Sequence, residues 1–371
     1  LGDVTLVEFA SLGPVPFAGM VLAGLGANVI RIDRPGEPVI PDLMVGAVGR
    51  GKRSVALDLK QAAATGIALE LVGRSDVLLE GYRPGVMERL GLGPGVCLST
   101  NPDLVYGRMT GWGQHGPYSA MAGHDINYIG LAGALHAVGD AEREVPPLNL
   151  VGDGGGAMFL VAGVLAALHD RERSGGTVVD AAILDGAAAL MSPFYELLSI
   201  GRWEDRRGVN LLDGGAPFYT TYSTSDGGSM AVGALEPHFY AELLTGLGLD
   251  AATLPDQYDP VGWQELREAI GARFATRTRE EWTAVFEGTD ACATPVLTLA
   301  EAPDHPHNTK RRVFGGPAGH RLPSPAPRFD GEKGVELSGN VEPGTDTAAI
   351  LAELGYGSDE ITSLRESGAA S

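Results

Sequence analysis

Cysteine, positive charge and long apolar runs are all scarce in this chain of 371 residues, and each scarcity excludes something. Cysteine occurs twice, at Cys97 and Cys292. Two thiols cannot build a disulfide framework or a four-cysteine zinc site, so a reducing compartment fits. Lysines and arginines total 27 against 47 acidic residues, a net charge of −20. A nucleic-acid binder needs a basic face that displaces counterions from phosphate, so that class is set aside. Lysine stands only at Lys52, Lys60, Lys310 and Lys333, which leaves most positive charge on arginine. No stretch approaches 18 consecutive apolar residues, and the longest apolar helical stretch, 157–168, is short enough for a buried core helix. No signal peptide or peroxisomal tag is read, so the expectation is a soluble cytoplasmic protein with no membrane partner. P-loop, Gly-x-Ser-x-Gly and His-Glu-x-x-His patterns are missing too, and no metal site is expected.

What is present has a clear rhythm. Strand patterns at 4–9, 28–32, 76–79 and 104–106 alternate with helical ones at 16–25, 58–72 and 157–173. Residues 178–179 begin a further strand before an apolar helix that runs to 190. Near-continuous apolar strands alternating with helices predict an α/β fold whose parallel sheet is covered on both faces. After about residue 215 the character changes. Residues 218–222 and 230–232, joined across Ser225-Asp226-Gly227-Gly228, predict a β-hairpin, with helices near 237–244, 263–275 and 279–286. The expected organisation is a large domain over 1–190 and 325–371 and a smaller α+β domain over 216–300. Linkers fill 191–215 and 301–324. Pro303, Pro306, Pro317, Pro323, Pro325 and Pro327 make 301–330 read as extended, and 345–354 as helical.

Four motifs bear on chemistry. Gly24-Leu25-Gly26 sits where a helix ends and a strand begins, the reverse of a dinucleotide-binding turn, so it reads as a helix C-cap. Arg31, Arg34, Arg50, Lys52 and Arg53 gather positive charge, and Arg83 and Arg89 follow a strand end in Gly81-Tyr82-Arg83-Pro84-Gly85. Two readings stand. One is a solvated patch; the other is a polyanion site at the carboxyl ends of parallel strands, where guanidinium groups fork onto phosphate. Gly123-His124-Asp125-Ile126-Asn127-Tyr128 sets a histidine beside a carboxylate, as a structural residue or as a general base. Finally, Gly152-Asp153-Gly154-Gly155-Gly156 precedes an apolar helix. Asp153 could simply N-cap that helix. Yet three glycines cost conformational entropy that a plain cap does not require. Glycines at a helix start also turn amides toward an anion, and a carboxylate there suits proton transfer beside a carbonyl.

Taken in order, these stretches closely resemble the family III CoA-transferase superfamily, and within it the α-methylacyl-CoA racemase branch. Thr110-Gly111-Trp112-Gly113-Gln114, Pro146-Pro147-Leu148-Asn149-Leu150-Val151-Gly152-Asp153, Leu212-Asp213-Gly214-Gly215-Ala216-Pro217, Val232-Gly233-Ala234-Leu235-Glu236-Pro237 and Asp290-Ala291-Cys292-Ala293-Thr294-Pro295-Val296 extend the likeness nearly end to end. The resemblance implies an interlaced homodimer with a Rossmann-like large domain for CoA and a small domain supplied by the partner. By the same analogy Arg34, Leu57, Asp58, Leu59, Lys60, Gly81, Tyr82, Arg83 and Arg89 hold CoA. Gly123, Ile126, Asn127 and Tyr128 line the thioester pocket. His124 and Asp153 match the acid/base residues, and Asp125 and Glu236 a second polar pair, Glu236 coming from the partner subunit. One departure stands out: the family's aromatic residue between the aspartate and the glycines is missing here.

The implied reaction interconverts (2R)- and (2S)-2-methylacyl-CoA through an enolate, its oxygen held by amides after Asp153. No cofactor is expected, since CoA belongs to the substrate. Two other readings are weighed: CoA transfer through an Asp153 acyl-enzyme, and an acyl-CoA-binding protein without catalysis.

Overall fold

Six stretches become one sheet: β1 (Thr5–Phe9), β2 (Asn28–Asp33), β3 (Lys52–Ala56), which its polar start Lys52-Arg53-Ser54 does not foretell, β4 (Val77–Glu80), β5 (Val105–Thr110) and β6 (Thr177–Ala182). Its order is β3-β2-β1-β4-β5-β6, and every neighbouring pair is parallel. All residues of β4 and β5 are buried, as strands covered on both faces must be. The computed structural model describes residues 1–36, 45–316, 321–330 and 337–371; Pro317 of the proline-rich run and Lys333 lie outside them.

Helices cover the two faces. On one face α1 (Pro14–Gly24) and α4 (Gly155–Ser174) pack with Leu6, Val29, Leu79 and Val105. On the other, α2 (Ala62–Gly73) packs with Val7, Ile30, Val55 and Leu78. The helix α1 opens on Pro14, where a missing N–H costs nothing, and stops at Gly24 with Gly26 at φ +100°, so the C-cap reading of these glycines holds. The helix expected from 58 starts only at Ala62. The chain there is still paired: Leu57 bridges Ala370, and the Asp58 N–H donates to Ala369 O at 3.0 Å. Two short helices, α3 (Asp125–Leu131) and α5 (Ile183–Leu190), follow β5 and β6.

The apolar helix is longer than its pattern. A turn over Leu150–Gly154 continues into α4, and the whole span Leu150–Ser174 is long and apolar enough, by length and composition, to cross a membrane. Only a third of its apolar 18-residue window is buried. Its inner face lies on β5, β6 and α1, while Met158 and Phe159 are exposed, so it covers the sheet with one face rather than filling a core.

Two compact units divide the chain. The sheet belongs to the first, made of Leu1–Ala132, Leu148–Leu190 and Thr309–Ser371. Its last segment closes the outer edge of β3. Ser54 N–H donates to Asp346 Oδ2 at 2.9 Å and Ala56 N–H to Thr347 Oγ1 at 3.1 Å, and the helix Thr347–Leu354 buries Ile350 and Leu351. The second unit comprises Gly133–Pro147 and Met191–Asn308. The expected hairpin forms as antiparallel β7 (Tyr219–Ser223) and β8 (Ser229–Gly233), with β9 (Ala293–Pro295) added. Helices Pro237–Leu247, Trp263–Phe274 and Arg279–Phe286 cover it around Phe218, Phe274 and Trp282.

The run 301–330 is less extended than its prolines suggest. Pro306 opens the helix Pro306–Arg311, using the one helical position that tolerates proline, and Phe314–Gly315 pairs with Leu322–Pro323.

Candidate active site

Six parallel strands send their following loops to one edge, and the strand order reverses between β1 and β4. A crevice for ligands lies at such a point. Ser11–Gly13 follows β1, Arg34 follows β2, Leu57–Lys60 follows β3, Gly81–Arg83 follows β4 and Gly111–Gly113 follows β5. The residues expected to hold CoA are therefore on one edge of one sheet. Leu57 itself is spent on the core, at 1% exposed.

The cations sort into two classes. Arg31 pairs with Asp33 at 2.7 Å, Lys52 with Glu8 at 2.7 Å and Arg53 with Glu353 at 2.7 Å. Arg50 is buried and donates to Ala47 O at 2.8 Å. The cluster from Arg31 to Arg53 is thus no continuous anion patch; most of it is neutralised scaffold. Arg34, Lys60, Arg83 and Arg89 are exposed and make no ion pair among the described residues.

Asp153 sits in unusual backbone. Leu148 and Asn149 take φ of +55° and +59°, left-handed values that side chains tolerate poorly and that concentrate at functional sites. Leu150–Gly154 then forms a π-helical turn that runs into α4 without a cap. Asp153 is therefore inside a helix, not its N-cap. Its N–H donates to Asp125 Oδ2 at 2.7 Å, and Asn149 Nδ2 donates to its Oδ2 at 3.0 Å. Two glycines make room. A Cβ on Gly152 would lie 2.2 Å from Asp125 Oδ2, and one on Gly13 would lie 3.0 Å from Asp153 Oδ2.

This geometry corrects one expectation. The amides after Asp153 are already used: Gly154 N–H donates to Asn149 O at 3.0 Å, and Gly155 N–H to Leu150 O. The amides without a carbonyl inside the helix precede Asp153, at Leu150, Val151 and Gly152.

Electrostatics single out the same carboxyl. Burial pushes the Asp153 carboxyl above the usual carboxylate range. The Asn149 hydrogen bond opposes that, the Asp125 charge adds to it, and the His124 ring again opposes it. His124 is exposed and precedes α3, its N–H donating to Asn127 Oδ1 at 3.0 Å. Asp125, the next residue, is 2% exposed. The four residues His124, Asp125, Asn149 and Asp153 are thus brought together.

Tyr128 forms the adjoining wall. Trp112 meets its ring edge-on, with centroids 4.7 Å apart. Gly111 and Gly123 flank it so closely that a Cβ would lie 2.1 Å and 2.7 Å from ring carbons. Burial raises the Tyr128 hydroxyl, the Asp153 charge adds to that, and the Arg83 charge opposes it, which ties the loop after β4 electrostatically to the carboxylates. Ile126 and Asn127 are exposed on α3. Glu236 caps Pro237–Leu247 in the second unit, where it is exposed. Among the described residues, no group of three histidine, cysteine or acidic side chains could hold a metal.

Sequence reasoning missed Asn149 and Gly13. Asn149 had a signal, because asparagine is the side chain that enters left-handed backbone most readily. Gly13 had none, since its neighbour Asp153 is distant in sequence.

Comparisons with known proteins agree with this layout. Residues 1–339 match the model of CoA-transferase family III. The chain is 46% identical to an alpha-methylacyl-CoA racemase of Mus musculus, over 98% of this chain and 96% of that one. It is 45% identical to the Homo sapiens protein of the same name, with the same coverage. A solved CAIB/BAIF family protein from Brucella suis superposes with a TM-score of 0.81 at 25% identity, covering 95% of this chain and 98% of that one.

Proposed function

The chain belongs to CoA-transferase family III, and from that membership we propose that it is an α-methylacyl-CoA racemase whose acid/base pair is His124 and Asp153. The observation that carries the residue assignment is the fixed setting of Asp153. Its backbone is tied to Asp125, which adjoins His124, and its carboxyl is tied to Asn149.

The chemistry takes one proton from Cα and delivers another to it, with no change of oxidation state. The α-hydrogen of a 2-methylacyl thioester is weakly acidic, so a base must meet it while the enolate oxygen is stabilised. His124 and Asp153 flank Cα on opposite faces. In one direction neutral His124 removes the proton and protonated Asp153 returns one to the other face; in the reverse direction the roles exchange. The enolate oxygen meets the amides at Leu150, Val151 and Gly152 rather than those after Asp153. We assign no metal or redox cofactor, because the step needs neither.

Arg34, Lys60, Arg83 and Arg89 hold the CoA phosphates, which explains why these cations make no ion pair among the described residues. The functional unit is a homodimer in which Glu236 of the partner subunit completes the site. Support comes from apolar side chains left in the open beside the catalytic turn: Leu148 is 83% exposed and Leu150 70%. Apolar side chains exposed together, rather than singly, mark interaction sites. Free thiols at Cys97 and Cys292 support a reducing, cytoplasmic setting.

Deuterium wash-in tests the reading. In D2O the enzyme is expected to place one deuterium at Cα of either epimer while interconverting the two. Absence of both label and interconversion would sink the assignment. CoA transfer through an Asp153 acyl-enzyme predicts instead that hydroxylamine traps Asp153 in the presence of acyl-CoA, and His124 has no part in it.

A further inference from the structure

We infer that Arg108, which touches no substrate in the reading above, is the positioning residue of the CoA-binding loop. The inference rests on the acyl-CoA reading of that loop and names the group that holds it in shape. The segment Gly81–Arg89 leaves β4, carries Arg83 and ends on Arg89, two cations without an ion pair among the described residues. A nine-residue stretch of this kind would ordinarily sample many conformations, and binding phosphate would then have to freeze it.

One guanidinium holds both ends instead. Arg108 on β5 stands opposite Glu80 on β4. Its Nε donates to Glu80 Oε1 at 2.9 Å, and the other oxygen of Glu80 accepts the Tyr82 N–H at 2.7 Å. Its two terminal nitrogens fork onto Glu88, at 2.9 Å and 3.3 Å. Glu80 is fully buried and Arg108 7% exposed, so the Glu80 half of the clamp is screened from water, while Glu88 joins it from the surface with its side chain 45% exposed.

The surroundings are shaped for it. Gly85, at φ +83°, turns the chain so that Glu88 can reach back to the sheet. Gly93 leaves room for the Glu88 stem, since a Cβ there would lie 2.8 Å from Glu88 Cγ. The Tyr82 hydroxyl adds a tie to the neighbouring loop, donating to Ala10 O at 3.2 Å. Arginine is needed: its donors are spread over a planar fork that spans Glu80 and both oxygens of Glu88, whereas the three donors of a lysine radiate from one point.

The clean test is Glu88→Gln, because Arg108→Met would strand a buried Glu80 and could simply unfold the chain. Two substrates are compared: a 2-methylacyl-CoA and the pantetheine thioester of the same acyl group, which lacks the phosphates. KM for the CoA ester is expected to rise about fivefold to tenfold, with kcat within about twofold and KM for the pantetheine ester unchanged. The Kd of free CoA, measured by calorimetry, is expected to rise in parallel, and Arg108→Lys to reproduce the same split. An unchanged Kd for CoA, or an equal rise for both thioesters, would overturn the inference. The calorimetric arm needs no turnover. If the wild type binds CoA yet exchanges no α-proton, the catalytic reading falls and this one stands.

Discussion

The interior of the sheet and the rim at its carboxyl edge use the same residue types in opposite ways. Inside, Lys52 and Glu8 are wholly buried and meet at 2.7 Å, and Lys52 donates a further bond to Pro16 O at 2.9 Å. Burial works to neutralise both groups, and their contact works against it. At the rim, Arg34, Arg83 and Arg89 are exposed and leave their charge to something else. Pairing, more than the number of cations, separates scaffold from ligand site. The same contrast holds for carboxylates. Asp125, 2% exposed, accepts a backbone amide and holds the turn, whereas Asp153 accepts only a side-chain amide and gains, through burial, a raised affinity for a proton.

Substitutions on the two sides should therefore fail differently. The largest effect belongs to the rim. Asp153→Asn should lower α-proton exchange by roughly 10³-fold, about 4 kcal/mol, because an amide neither takes nor gives the proton. Its thermal midpoint should stay near that of the wild type. Interior damage inverts this. Lys52→Met should cost about 3–5 kcal/mol in urea unfolding, since Glu8 is left buried without a partner. Glu8→Gln combined with Lys52→Met should cost less than Lys52→Met alone; a larger cost would break the comparison.

Smaller effects sharpen it. Arg83→Ala should raise KM for acyl-CoA about tenfold, roughly 1.4 kcal/mol, and the penalty should shrink as salt screens the phosphates. Asn149→Gly tolerates the left-handed backbone and removes only the side-chain donor. That donor favours the charged carboxylate, so its loss should displace the Asp153 limb of the pH–rate profile upward. In the direction where Asp153 is the base, activity falls as pH drops through its raised pKa. In the other direction it falls as pH climbs through the same value. Least affected of all, Arg53→Ala breaks a pair in which Arg53 is a third exposed and should cost under about 1 kcal/mol.

How much of this was legible depends on the range of the interaction involved. Strand β3, which opens on Lys52-Arg53-Ser54, shows no apolar run and went unread, whereas β1, β2, β4 and β5 read correctly because burial on both faces imposes apolar runs that are visible locally. The start of α2 did not, since Leu57 and Asp58 stay extended through partners at Ala370 and Ala369. Charge pairing was equally hidden. Arg53 and Glu353 lie 300 positions apart, so no window along the chain could separate that arginine from Arg34. At the site, the residues alone left His124 between a structural role and a base. The order of several motifs, rather than any one of them, identified the family. The π-helical turn escaped notice because three glycines after Asp153 look like the opening of a helix, whereas the opening lies at Asn149.

The outer edge of β3 carries a consequence for biosynthesis. Among the described residues that edge is closed by the final segment, and the Ala56 amide meets its partner Thr347 across 291 positions. At about 5–20 residues per second, a ribosome needs roughly 15–60 s between making one and making the other. Within that interval the rest of the sheet and the whole of the second unit are synthesised while a strand edge stands unpaired. Unpaired edges recruit other strands. The nascent chain therefore carries an open, pairing-competent strand edge through most of its own synthesis.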